Sequence, residues 1–130
     1  MYKRLELHNH TNESDAVFTC KELTDFMVAD HVNAFALTDH NTISGHYKIE
    51  NYLKEHPQSI AFIPGMEYTT YYGHILCLNL TEYVPWENIN KHKPELLFQA
   101  AREKGALVGV AHPYSFGWPF AQGCRFEMTI

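Results

Sequence analysis

Apolar residues along this chain fall into short runs, and the spacing within each run predicts the element it forms. Tyr2 to Leu7 reads as a short strand, with Leu5 and Leu7 facing one side and His8 and His10 the other. Thr19-Cys20-Lys21-Glu22 has the form of a helix capping box, and Leu23, Phe26 and Met27 follow at helical spacing as a buried stripe. Ala34 to Leu37 is a compact apolar run, read as a strand buried on both faces. Ile43 to His56 predicts a weaker helix with Ile43, Tyr47 and Leu53 inward, stopped by Pro57. Ile60 to Ile63 and His74 to Leu78 are further strands, the first broken by Pro64-Gly65. A helix starts at Pro94, carries Leu96, Leu97, Ala100 and Ala101, and is capped by Gly105. Leu107 to Ala111 is a fifth strand, Tyr114 to Gly123 a loop, and Phe126 to Ile130 a sixth strand. The alternation of strands and helices predicts a mainly parallel α/β fold.

Polar residues at the ends of these runs change the picture. His8, His10, His40, Glu67 and His112 each stand at or just past the end of an apolar run, while His74 opens one. In parallel α/β folds the C-terminal strand ends form the active face. Imidazoles and carboxylates gathered there offer N/O ligands for Zn, Mn or Fe, not a thiolate cage. Any one of these histidines could be an ordinary core or rim residue. Five polar residues each closing an apolar run favour a shared site.

Composition narrows the class. A chain of 130 residues, 45% hydrophobic and 19% charged, fits one soluble globular domain. A net charge of −5 argues against general attraction to nucleic acid or an anionic membrane. Cys20, Cys77 and Cys124 have no paired spacing, which points to a reducing compartment; with no leader or long apolar run, the cytoplasm is expected. Cys20 and Cys77 lie inside apolar patterns, as core residues would. A His/carboxylate rim without a nucleophilic Ser or Cys elbow suggests hydrolysis by metal-activated water, and the lack of a Gly-rich phosphate loop argues against NTP cradling. Asp39 reads either as an orienting partner for a ligand histidine or as a turn former. His31, His46, His56 and His92 are expected to be solvated, and Tyr68, Tyr71 and Tyr72 either to line a pocket or to pack near a loop.

The set His8-x-His10, Asp15, Thr38-Asp39-His40, Pro64-Gly65-x-Glu67, Gly73-His74-x-Leu76 and Ala111-His112-Pro113 resembles the PHP family, the polymerase and histidinol phosphatase domains. The resemblance runs from about Leu5 to Pro113. It implies a distorted (β/α)7 TIM-like barrel with up to three metal ions on its C-terminal rim. By that resemblance His8, His10 and Glu67 hold the first ion, Glu67 with His74 and His112 the second, and Asp15 with His40 the third. It assigns catalysis to Glu67, His8, His10 and His112, through water activated between metals.

Family members usually supply an Asp-x-His motif on a last strand, and none follows His112 here. A complete barrel of this type takes roughly 200 residues or more, so an incomplete barrel is expected, with two ions held firmly and the third weakly or not at all. Open strand edges then predict a homo-oligomer. The function implied is a metal-dependent phosphoesterase acting on a small phosphomonoester or nucleotide-type substrate. A non-catalytic metal-binding or interaction module is the alternative. C–N bond hydrolysis is a weaker third, since no lysine follows a strand end.

Overall fold

The computed structural model describes residues 2–115. The strand expected over Phe126 to Ile130, and nearly all of the expected 114–123 loop, lie outside those residues. Five strands form one sheet in the order β1 (Leu5–Glu6), β2 (Ala34–Leu37), β3 (Ala61–Thr70), β4 (Gly73–Leu78) and β5 (Leu107–Val110). Three helices, α1 (Cys20–Ala29), α2 (His46–Glu55) and α3 (Pro94–Glu103), and a 3-10 turn at Trp86–Asn88 complete the secondary structure. The sheet curls as a half-barrel. None of the described helices is long and apolar enough to cross a membrane.

The strands are mixed, which corrects the expectation of a mainly parallel sheet. β1, β2 and β3 run parallel, whereas β4 is antiparallel to both β3 and β5. The cause is local. Only Tyr71 and Tyr72 separate β3 from β4, and a two-residue link can make a hairpin but not a parallel crossover. The reversal also explains His74. Because β4 runs the other way, its first residues lie at the same rim as the last residues of β1 to β3 and β5.

Pro64-Gly65 does not break β3. Pro64 occupies the last rung shared with β2, and the next contact between the two chain segments is the bridge His40↔Glu67, so the missing proline donor falls in a gap of the ladder. Gly65 is there for space. A Cβ would lie 2.6 Å from Cys77 O, 3.1 Å from Thr38 Cγ2 and 3.2 Å from Leu37 O.

Helix α1 begins as expected: Thr19 Oγ1 accepts from Glu22 N, and the Glu22 carboxylate accepts from Thr19 N. Its buried stripe is Cys20, Leu23, Thr24 and Met27, an i, i+3, i+4, i+7 set that leaves Phe26 exposed on the flank. In α2, His46 and Ile49 are buried, Leu53 packs partly against the same cluster as Ile49, as expected, and Tyr47 points to solvent. Ile43, just before the helix, packs against the other cluster, that of Met66 and Tyr68. α3 buries Leu97, Phe98 and Ala101 and exposes Leu96. Two apolar clusters result. One packs α1 and α2 on β2 through Leu23, Met27, Phe35, Leu37 and Ile49; the other packs α3 on β3 and β4 through Met66, Tyr68, Ile75, Leu97 and Phe98.

His46, expected on the surface, is buried, and its Nε2 donates to Gly65 O at 2.7 Å. Burial holds its pKa below the ordinary histidine value, against a smaller opposing effect of that hydrogen bond. Below the ordinary value near ~6.5 the unfolded chain therefore binds the extra proton first, and stability is lost as pH falls toward the folded-state pKa. Urea unfolding of wild type and His46→Gln should show a stability gap that is full at alkaline pH and narrows as the medium is acidified. Gly65→Ala should cost about 1–3 kcal/mol in the same assay, from overpacking against backbone.

Candidate metal centre

Glu67 sits in β3 with its side chain fully buried. Its backbone is clamped on one side: its N–H donates to Asp39 O at 3.1 Å, and its carbonyl accepts from Asn41 N at 3.0 Å. Asn41 takes the left-handed conformation (φ 55°), which asparagine tolerates, and so bends the chain away just past His40. The same asparagine accepts from Thr69 N at 3.0 Å and donates to Thr69 Oγ1 at 3.2 Å. Five imidazoles then converge on one carboxylate. His8 Nε2 is 2.6 Å and His10 Nε2 2.9 Å from Oε2, with His40 Nε2 at 3.8 Å; His74 Nδ1 is 2.9 Å and His112 Nε2 3.0 Å from Oε1.

His8 and His10 share a face because the residue between them is tied to the opposite side. Asn9 N–H donates to Thr38 Oγ1 at 3.0 Å, its carbonyl accepts from Thr38 N at 2.8 Å, and its Nδ2 donates to Glu6 O and Ala36 O. Sequence reasoning gave Asn9 no role. The signal was there: a polar residue alternating with two histidines in an extended run needs partners on the buried side.

Asp39 resolves neither as a turn former nor as a direct partner of a histidine. It is buried and accepts from Thr11 N at 2.6 Å, Thr11 Oγ1 at 2.7 Å and Ser14 Oγ at 2.6 Å. These bonds pin the loop that follows His10 and carries Asp15. Glu13 in that loop accepts from Ser44 Oγ at 2.7 Å and from Lys48 Nζ, which ties the loop to the start of α2. The Asp15 side chain, 66% exposed, lies with Oδ2 3.5 Å from His40 Nε2 and Oδ1 3.9 Å from His10 Nδ1.

Burial alone would push the Glu67 carboxyl up, but hydrogen bonds from His10, His74 and His8 outweigh it and hold the group well below the usual carboxylate range. Burial lowers His10 as well, yet Glu67 and Asp15 raise it net, while burial of His40 dominates and lowers it. The Cys77 thiol is pushed up to about 12 by burial, which removes it as a nucleophile.

The donor set fits divalent cations. Three groups, His8-His10-Glu67, His10-Asp15-His40 and His40-Glu67-His74, each offer ligand atoms within 4.8 Å of one another. Ligand bonds of roughly 2.0–2.2 Å allow their atoms to stand up to about twice that far apart, so the Asp15 separations, long for hydrogen bonds, suit a shared ion. His10 Nδ1 and His40 Nδ1 are buried with no hydrogen-bond partner among the described residues. Relative to the ligand sets implied by resemblance, the geometry keeps His8, His10 and Glu67 together. It adds His10 to Asp15 and His40, and brings His40 beside Glu67 and His74; His112 stays at Glu67 Oε1.

A family model described as the PHP domain matches residues 6–112. The chain belongs to the PHP domain family. Across 89 residues this PHP domain is 37% identical to a 5'-3' exoribonuclease of Haemophilus influenzae, covering 65% of this chain and 32% of that protein. A two-domain protein of Bacteroides vulgatus, described as containing a predicted PHP-like metal-dependent phosphoesterase, superposes with a TM-score of 0.74 at 21% identity over 85% of this chain and 35% of its own. An amidohydrolase of Chromobacterium violaceum, with bound sulfate and no metal, gives 0.57 at 25% identity over 85% of this chain and 41% of its own. The chain thus spans between about a third and two fifths of each of these proteins.

Asp39→Ala would leave Thr11 N–H buried without an acceptor and free the Asp15 loop. It should lower stability by about 1–3 kcal/mol and weaken metal binding by roughly 10–100-fold, measured by urea unfolding and by metal titration with a competing chelator.

Proposed function

We propose that this PHP domain is a metal-dependent phosphoesterase that hydrolyses a small phosphomonoester or nucleotide-type substrate. One observation carries the reading: a fully buried glutamate offers its two oxygens to separate imidazole sets, His8 with His10 and His74 with His112, at one rim of the sheet. Bound divalent cations (Zn, Mn or Fe) would supply positive charge for a phosphoryl oxygen and acidify a water molecule. The chain's residues do the rest. Glu67, its backbone fixed by Asp39 and Asn41, would hold bound cations with the imidazoles on either of its two oxygens. Asp15 supplies an exposed carboxylate on the solvent side, held to the site by the Asp39 and Glu13 bonds of its loop. The names of the relatives support the class: a phosphoesterase domain in one, an exoribonuclease in another.

The amidohydrolase similarity favours a second reading, C–N bond hydrolysis. Glu67, with no lysine among its contacts with the described residues, fits phosphoester chemistry better. Substrate and metal identity are settled by assay. Protein purified without chelator should carry divalent metal and release phosphate from model monoesters in a metal-dependent way. Glu67→Gln should retain the circular dichroism spectrum and lose activity by on the order of 10³-fold. Metal-free protein that takes up no ion, or activity unchanged in Glu67→Gln, sinks the reading.

Self-association belongs to the same proposal. β1 and β5 are the edges of the described sheet, and Leu5 and Leu107 on them are exposed. Light scattering on the purified chain should give a mass of at least two copies; a monomer at all concentrations rules this out.

A further inference from the structure

The hairpin that carries Glu67 and His74 runs past the metal rim and ends in an aromatic tip. Thr69 pairs with His74 and Thr70 with Gly73, so Tyr71 and Tyr72 stand two residues beyond the Thr69–His74 rung, roughly 7 Å at strand spacing. Both tyrosines are exposed, Tyr72 by 42%. A separate segment is docked on them: Tyr71 N–H donates to Lys91 O at 2.9 Å, and the His92 ring lies 4.5 Å from the Tyr71 ring. The rings make a corner. Tyr71 and His92 are inclined by only 32°, whereas Tyr72 stands at 84° to Tyr71 and 86° to His92.

The corner is held rigidly. Trp86 Nε1 donates to Thr69 O at 2.8 Å, and Lys91 Nζ lies 3.8 Å from the Trp86 ring centre. The docked segment Lys91-His92-Lys93 is basic in a chain whose net charge is −5. Core packing does not account for these groups, because Tyr71, Tyr72, His92 and Lys93 are all exposed while the core tyrosine of the same strand, Tyr68, is fully buried. Exposed aromatic rings interleaved with lysines are the means by which proteins hold unpaired bases, the rings stacking and the cations facing the phosphates.

We propose that Tyr71, Tyr72 and His92 form a stacking subsite for a nucleobase carried by the substrate, with Lys93, exposed beside His92, as the cation available to its phosphates. This rests on the phosphoesterase reading, and it narrows the substrate from any small phosphoester to one bearing a base next to the phosphate at Glu67. The overall negative charge argues against extended contacts along a nucleic-acid backbone and favours recognition of one base at this short basic segment.

The test is binding, read independently of turnover. Fluorescence anisotropy with a 3'-labelled, 5'-phosphorylated single-stranded pentanucleotide is compared with the same strand made abasic. Tyr72→Ala should weaken binding of the base-bearing strand by about 5–150-fold, the range for one stacked base, leave the abasic strand unchanged, and be rescued by Tyr72→Phe. His92→Ala should act in the same direction. Equal effects on both strands, or none, overturn the subsite. The two readings fail separately. Ribose 5-phosphate hydrolysis by a protein that binds both strands alike keeps the phosphoesterase and removes the subsite. Tyr72-dependent binding without hydrolysis of any ester does the reverse.

Discussion

A carboxylate with no solvent exposure, Glu67, sets the terms for everything around it. Placing an ionised carboxylate in a protein interior costs several kcal/mol unless it is paired and hydrogen-bonded. The pairing here is made by imidazoles rather than by lysine or arginine. A guanidinium or ammonium would lock Glu67 into a permanent salt bridge. An imidazole near neutral pH can instead shed its proton and present a lone pair. The same five side chains that make the buried glutamate tolerable therefore make it exchangeable, from a hydrogen-bonded cluster to a set of cation ligands.

The topology that brings these groups together is economical in contacts. Parallel strands β1 to β3 deliver His8, His10, His40 and Glu67 by their C-terminal ends, and β5 delivers His112 in the same direction. The short hairpin returns β4 so that its opening residue, His74, faces the same point. Rim loops then lock onto one another through side chains that never reach the cluster. Asn9 grips Thr38, Asp39 grips Thr11 and Ser14, and Glu13 reaches Ser44 and Lys48. Removing such a residue moves ligands that it does not touch.

Much of this was legible in the sequence, and what was not has identifiable causes. Strand ends closing in His or Glu marked the site, since an imidazole or carboxylate at the end of an apolar run has few structural uses. The capping box fixed the start of α1. Strand direction is illegible at β4, because apolar alternation carries no sign of direction; the strand expected to end at Ile63 runs on to Thr70, which leaves only Tyr71 and Tyr72 for the connection. Phe26 and Tyr47 read as inward because a helix face is one stripe wide, and hydrophobicity alone does not say which flank faces the core. His46 reads as solvated because no motif surrounds it, yet its spacing of three from Ile49 puts it on the buried face. The alternation of Asn9 with His8 and His10 shows that it faces the buried side, but no local pattern encodes its partner Thr38 or the Thr11 and Ser14 partners of Asp39.

Sharing of ligands makes the cluster behave as a unit. His10, His40 and Glu67 each belong to two of the three donor groups, so filling one group orders atoms needed by the next. Rigidity differs across them. His8, His10, Glu67 and His74 are carried by the sheet or segments bonded directly to it, whereas Asp15 is exposed and borne on a loop whose position depends on Asp39 and Glu13. Fixed ligands lose little freedom on capturing an ion, and a loop-borne one must be ordered first. An ion bound here would therefore meet its firmest ligands around Glu67, and the group containing Asp15 would depend most on the stability of its loop.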